Sequence, residues 1–379
     1  MSGRRAVMGR VLLAALVASV LLVRTSGAQP DSALPSRLDD AAFWALSASL
    51  SEPDGYFRSE NLVSNEHTFQ HVVPELERLP AGGVYLGVAP DQNFTYILAT
   101  RPQMAFIVDV RRGNLLVHLL YKAIFELSAD RAEFLSRLFS KPRPVGLGVD
   151  ASVESLFAAY APVATSERLY RANAVAVTEQ LVRRHGFTLT PEDLERLEAV
   201  YFAFFWEGPG LRYSVDQVPG FGGRGSRFPT YEELMMETDS EGEPRGYLSS
   251  EAKFRTLKQM QERNLIVPVV GNFAGPKAIR GVAGYVRERG GVVSAFYVSN
   301  VEQYLFQDRL FEAFVRNVEA LPVDESSVFI RSVSTRFGYA GTRVGPDGRA
   351  TSLYPIRAFG RDYRAGRLGS YLELNQRSP

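Results

Sequence analysis

Cysteine is absent from all 379 residues, which removes disulfides, thiolate metal ligands and cysteine nucleophiles together. Whatever holds the chain folded is its core, and with 45% hydrophobic residues that core is substantial. Histidine is scarce. His67, His71, His118 and His185 are the full set, so zinc chemistry or a Ser-His-Asp arrangement has to draw on these four. Net charge is also nearly lacking: 43 Lys and Arg stand against 42 Asp and Glu. No global field steers the molecule to nucleic acid or to an acidic membrane, so a polyanionic partner is not expected. The apolar run from Val11 to Val23 spans 13 residues, short of the roughly 20 that cross a bilayer as a stable helix.

That run has the layout of an export signal. Arg4, Arg5 and Arg10 precede it, and Ser26-Gly27-Ala28 supplies small residues for cleavage after Ala28. Residues 1–28 are therefore read as a signal peptide and 29–41, with Pro30 and Pro35, as a linker. The alternative is an uncleaved anchor with Arg24 as a stop-transfer charge. On either reading the remainder is exported, to a periplasmic or extracellular location. Without the signal, no stable membrane span is expected. Arg4-Arg5 followed by Val7 and Met8 also fits the twin-arginine pattern, against the general secretion route as the plainer reading.

Periodicity and turn signals then divide the chain. Helices are expected at 43–50 and 65–79. Two buried-type strands follow at 83–88 and 104–109, with helical 93–100 between them. Helices at 113–127 and 130–139 lead into a largely helical stretch that runs to 263. Within it, Thr190-Pro191-Glu192-Asp193 opens a helix through Phe205, and 208–230 is a loop rich in glycine and proline. Strand and helix then alternate again: 265–271, 276–289, 292–298, 302–321 and 327–331. Alternation of this kind predicts an α/β fold, a doubly wound and mainly parallel sheet with a large helical insertion (140–263) after the second β-α unit. The domain is expected over 42–331. Residues 332–379 are read as an irregular extension, with strand near 352–358.

In such sheets ligands bind beyond the carboxyl ends of the strands, so four loops converge. The first reads Gly87-Val88-Ala89-Pro90-Asp91-Gln92-Asn93, small residues at a helix start, where free amides meet a carboxylate or phosphate. The second carries Asp109, the acidic position that receives ribose hydroxyls in nucleoside-binding sheets. The third carries Asn272 and Phe273, and the fourth Ser299, Asn300, Glu302 and Tyr304. Over residues 83–127 and 264–331 these loops resemble the class I S-adenosylmethionine-dependent methyltransferase superfamily. The spacing is also similar to the betaine-lipid aminocarboxypropyl transferases, with an Asp after the second strand and a Ser-Asn pair after the fourth. The mature chain as a whole resembles a bacterial family with no activity assigned to it.

The resemblance implies S-adenosylmethionine as cofactor. It implies Gly87, Ala89, Pro90, Gln92 and Asn93 at the methionine end, Asp109 at the ribose, and Asn272 and Phe273 at the adenine. Ser299, Asn300 and Tyr304 would face a small-molecule or lipid-like acceptor. The chain departs from the superfamily pattern in two ways: its first strand holds no acid, and Asn272 stands where Asp is usual. Read singly, each loop residue has a structural explanation, such as Asp109 capping a helix.

Other features stay open between bland and sharp readings. Asn114, His118, Lys122 and Glu126 recur every four residues, either as a solvated face or with His118 as a general base under the first loop. His67 and His71, with Glu66 and Glu75, share a helical spacing suited to a metal, but no third ligand is evident and no metal is expected. The segment 61–66 either folds over the cofactor or simply packs. Tyr201, Phe202, Phe204, Phe205 and Trp206 form core, a greasy pocket or a lipid contact. Two functions follow: a transferase moving a methyl or aminocarboxypropyl group, or an exported binding protein that keeps the fold without the chemistry. A nucleotide hydrolase ranks behind both for want of a metal cluster.

Overall fold

The computed structural model describes residues 33–59, 61–213, 228–341 and 344–378. The expected signal peptide and the start of the linker lie outside the described residues. The chain is α/β, built on one six-stranded sheet in the order β3-β2-β1-β4-β5-β6. The strands are β1 (Val84–Gly87), β2 (Met104–Asp109), β3 (Ile266–Val270), β4 (Val293–Ser299), β5 (Val328–Ser334) and β6 (Arg349–Pro355). The first five run parallel, and β6 pairs antiparallel with β5 from Val328↔Pro355 to Ser334↔Arg349. Every residue of β1, β2 and β3 is buried. That is why these strands read as continuous apolar runs and not as alternating ones.

Before β1 come α1 (Asp40–Leu50) and the single turn α2 (Val73–Leu76); α3 (Gln92–Thr100) joins β1 to β2. Between β2 and β3 lie α4 (Arg112–Leu127), α5 (Arg131–Phe139), α6 (Val153–Tyr160), α7 (Glu167–Thr178), α8 (Pro191–Glu207), α9 (Tyr231–Met235) and α10 (Glu251–Glu262). Side-chain caps open several of them: Asp130, Ser152, Ser166, Thr190, Thr230 and Ser250 each accept from a backbone amide of the first turn. The remaining helices are α11 (Ala278–Glu288), α12 (Val301–Gln307), α13 (Phe311–Glu319), α14 (Ile356–Arg364) and α15 (Tyr371–Gln376).

Three expectations need correction. The helix expected at 65–79 is a turn, a 3₁₀ segment Phe69–Val72 and the short α2. Thr68 in left-handed backbone (φ 65) and Pro74 inside the segment break the regular run. The helix expected at 302–321 is two helices, α12 and α13, because Arg309 takes a left-handed conformation (φ 60) and folds Phe306 onto Phe311, ring centroids 3.8 Å apart. The described part of 332–379 is not an irregular extension: β6 covers the β5 edge, and α14 and α15 bury Ile356, Phe359, Tyr371 and Leu374. Among the described residues no helix is long and apolar enough to cross a membrane.

Candidate functional site

The carboxyl ends of β1, β2, β3 and β4 open into one cleft with about 960 Å³ of atom-free space, its mouth included. Its wall includes Ala89, Pro90, Asp109, Asn272, Phe273, Ser299, Asn300 and Tyr304, so eight of the twelve residues expected to bind the cofactor, face the acceptor or act as general base meet there. The cleft lies where β1 and β4 are neighbours and the winding of the sheet reverses.

Two residues at that reversal hold strained backbone. Ala89 (φ 64) and Ser299 (φ 50) are left-handed without being glycine, and such conformations persist where the surroundings over-determine them. At Ala89 the surroundings are visible. Asn93 Nδ2 donates to the carbonyls of Val88, Ala89 and Pro90 at 2.8, 3.0 and 2.7 Å, while its Oδ1 accepts from the Tyr85 hydroxyl at 2.9 Å. The amide of Asn93 thus staples the turn. A Cβ on Gly87 would stand 1.9 Å from Asn93 Oδ1, so only glycine leaves room for the staple.

The structure keeps Gly87, Gln92, Asn93 and His118 behind the cleft and out of its wall. His118 lies beneath the first loop with Nε2 2.9 Å from the Ala89 carbonyl, and burial lowers its pKa to about 4. It is a neutral imidazole supporting a turn. Asp91, next in that turn, is pushed up to about 7 by burial, with the Tyr247 hydroxyl at 3.4 Å. The stripe on α4 is not a solvated face either. Asn114, His118 and Lys122 are all buried because α8 and α10 pack over α4.

Asp109 projects from the end of β2, but with company. Its Oδ1 accepts from the Arg111 backbone amide at 3.0 Å and from Arg111 Nε at 3.2 Å; its Oδ2 accepts from Nη2 at 3.3 Å. A carboxylate has about four acceptor positions, so one remains for a ligand hydroxyl. Asn272 Oδ1 accepts from the Ala274 amide at 2.8 Å and shapes the turn. Phe273 is 4% exposed and packs with Phe296 and Phe314; only its edge reaches the cleft. Glu52 closes the third β-α turn by accepting from the amides of Asn272, Lys277 and Ala278 at 3.0, 2.9 and 2.9 Å.

Glu52 belongs to a segment that forms the outer wall. Glu52 N donates to Val270 O and Gly55 N to Val110 O, both at 2.8 Å; Arg111 Nη1 donates to Ser59 O at 3.2 Å and Arg58 Nη2 to the Tyr304 hydroxyl at 3.2 Å. Tyr56 and Phe57 line the cleft, and Phe57 meets Tyr304 edge-on at 5.2 Å. Tyr213 adds a further ring. The same segment delivers Asn61, Ser64, Asn65 and Glu66 to the wall.

Glu66 is the group that strand-end reasoning missed. It is 2% exposed. Ser299 Oγ donates to its Oε1 and Gln92 Nε2 to its Oε2, the latter at 3.1 Å; the Tyr297 hydroxyl also bonds to it. All three donors are neutral, and among the described residues no lysine or arginine reaches ion-pair distance. Burial raises its carboxyl above the usual range, and those hydrogen bonds with the more distant Arg349 only partly offset the rise. Its neighbour His67 turns away to Glu237, Nδ1 to Oε1 at 2.7 Å.

A family model described as a domain of unknown function matches residues 61–348. The chain belongs to the DUF7790 family. The DUF7790 match takes in Glu66, all four strand-end loops and the helices α4 to α10, and it ends just before β6. No curated protein matches the chain.

Proposed function

We propose that the cleft binds S-adenosylmethionine and that the chain transfers a methyl or aminocarboxypropyl group from it to an acceptor. The observation that carries this reading is Glu66, a buried carboxylate at the cleft wall bonded only by neutral donors. Buried charges are ordinarily paired, so such an acid calls for a cationic ligand, and the cofactor carries both an ammonium and a sulfonium. Glu66 also supplies the acid that β1 lacks. Asp109, at the end of β2, is left with acceptor capacity for a ribose hydroxyl. The strand order β3-β2-β1-β4-β5 with an antiparallel last strand agrees with the methyltransferase type, on which reading α6 to α10 form the helical insertion.

Titration calorimetry with S-adenosylmethionine and S-adenosylhomocysteine tests the reading. Binding is expected, weakened by Glu66→Gln and abolished by Asp109→Ala. No heat from either compound would sink it. A second reading, a binding protein without catalysis, is favoured by one observation: His118 is sealed behind the loop, so no histidine base faces the ligand. It predicts binding without turnover.

We also propose that the chain is exported on the basis of its N-terminal sequence. The twin-arginine pattern reconciles export with a cytoplasmic cofactor, because that route moves folded proteins. Replacing Arg4-Arg5 by Lys-Lys should then block translocation of the loaded protein.

A further inference from the structure

Beside the first cleft lies a second, wider one with about 1,770 Å³ of atom-free space, mouth included. The two share Asn300 and Tyr304 as a common wall. Three guanidinium groups line the second cleft, each from a different part of the chain: Arg58 from the segment over the first cleft, Arg336 after β5, and Arg349 at the start of β6. The opposing charge is slight. Among the described residues Asp347 is the one carboxylate in the lining, 3.8 Å from Arg349 Nε, and His67 is already balanced by Glu237. Arg336 makes no ion pair among the described residues. Hydroxyls of Ser332, Ser334 and Thr335 complete the floor.

Arg336 and Arg349, from the two ends of the β5–β6 connection, share the single carboxylate of Asp347 in the described lining, so this part of the cleft carries surplus positive charge that attracts an anion. Guanidinium is the group whose planar fork matches carboxylate and phosphate oxygens. Arg58 also fixes the boundary: its Nη2 donates to the Tyr304 hydroxyl at 3.2 Å, and its guanidinium carbon sits 5.2 Å from the centre of that ring.

We propose that the second cleft is the acceptor subsite and that it holds an oxyanion of the acceptor, a phosphate or carboxylate, so that the acceptor's reactive end passes Asn300 and Tyr304 into the first cleft. The acceptor role rests on the transferase reading above; the oxyanion site does not. In the transfer, a lone pair of the acceptor forms the new bond to carbon, the carbon–sulfur pair stays on sulfur, and the acceptor proton leaves to solvent.

The test uses the full chain and three probes: inorganic phosphate, acetate, and phosphatidylglycerol vesicles against phosphatidylcholine vesicles. At least one anionic probe is expected to bind, about tenfold more weakly in Arg336→Gln and in Arg349→Gln, and unchanged in the remote, exposed Arg171→Gln. Both cleft arginines are at the surface, and unchanged melting temperatures will show that the variants fold. Vesicle binding without phosphate binding would assign the oxyanion to a lipid headgroup, and phosphate or acetate binding to a soluble acceptor. Failure of all three probes, or binding indifferent to Arg336 and Arg349, overturns the proposal. Phosphate binding without S-adenosylhomocysteine binding would keep the oxyanion site and remove the transferase reading; the reverse result would keep that reading alone.

Discussion

Glu66 and Ala89 show how single residues at the cleft trade stability for a prepared shape. Because burial raises the Glu66 carboxyl in the folded chain, ionising it costs folding free energy. The group's contribution to stability is present below the ordinary glutamate pKa and is lost as pH rises through the folded value. Glu66→Gln is therefore expected to stabilise the unliganded chain at pH 7 by on the order of 1 kcal/mol in urea titrations, while weakening a cationic ligand by roughly 2 kcal/mol. Calorimetry at falling pH should show affinity for that ligand dropping as Glu66 takes up its proton. Ala89→Gly relieves a left-handed alanine and should raise the melting temperature slightly, a gain of up to about 1 kcal/mol. Asp109 and Ser299 were legible in the sequence because they end apolar strands, and strand ends in a parallel sheet share one edge. For Glu66 the sequence offered only that segment 61–66 either folds over the cofactor or packs; its burial among neutral donors depends on the path of an irregular segment pinned by Arg111, Gln92 and Tyr304, which no periodicity encodes.

At the scale of elements, α4 is the clearest case of tertiary context changing a local reading. Its every-fourth-residue polar stripe looks solvated, yet Lys122 Nζ donates to Glu126 Oε1 at 2.6 Å inside the protein, and Glu126 Oε2 meets His185 Nε2 at 2.6 Å. His185 Nδ1 in turn lies 2.7 Å from Asp40 Oδ1, so one chain of side-chain contacts ties α4 to α1 and to the π-helical turn Glu179–Arg184. Desolvation raises the Glu126 carboxyl, but the bond from His185 and the charge of Lys122 outweigh it and hold the group below its ordinary value of 4.5. Its contribution is present above that value and is lost as pH falls through the lower folded one. Glu126→Gln should cost about 3 kcal/mol at pH 7, because it leaves Lys122 buried without its partner, and the difference from the wild type should shrink in urea titrations below pH 4. The amphipathic helices themselves were readable from caps such as Thr190. Which polar face was outermost was not, because that is decided by the helices that pack against it.

Across the whole molecule, the C-terminal elements act as a closing layer. Glycine and arginine made this part look irregular in the sequence, whereas Ala350, Thr351, Ser352 and Tyr354 of β6, with Ile356 and Phe359 of α14, are buried and seal the sheet. Beneath the layer, Arg331 and Glu302 form a fully buried pair, with Arg331 Nε 3.0 and 2.9 Å from the two Glu302 oxygens. Glu302, expected at a substrate, instead locks α12 to β5. Either Glu302→Met or Arg331→Met should cost about 3 to 5 kcal/mol, and the double variant far less than the sum, since the penalty lies in the abandoned charge. Glu52 sets a different limit on the molecule. By seating its own carboxylate on the amides that open α11, the chain has filled that helix start with a resident anion. The cleft wall at that turn should therefore repel a phosphate brought against it, so that in a competition assay an unphosphorylated nucleoside enters more readily than its phosphorylated form.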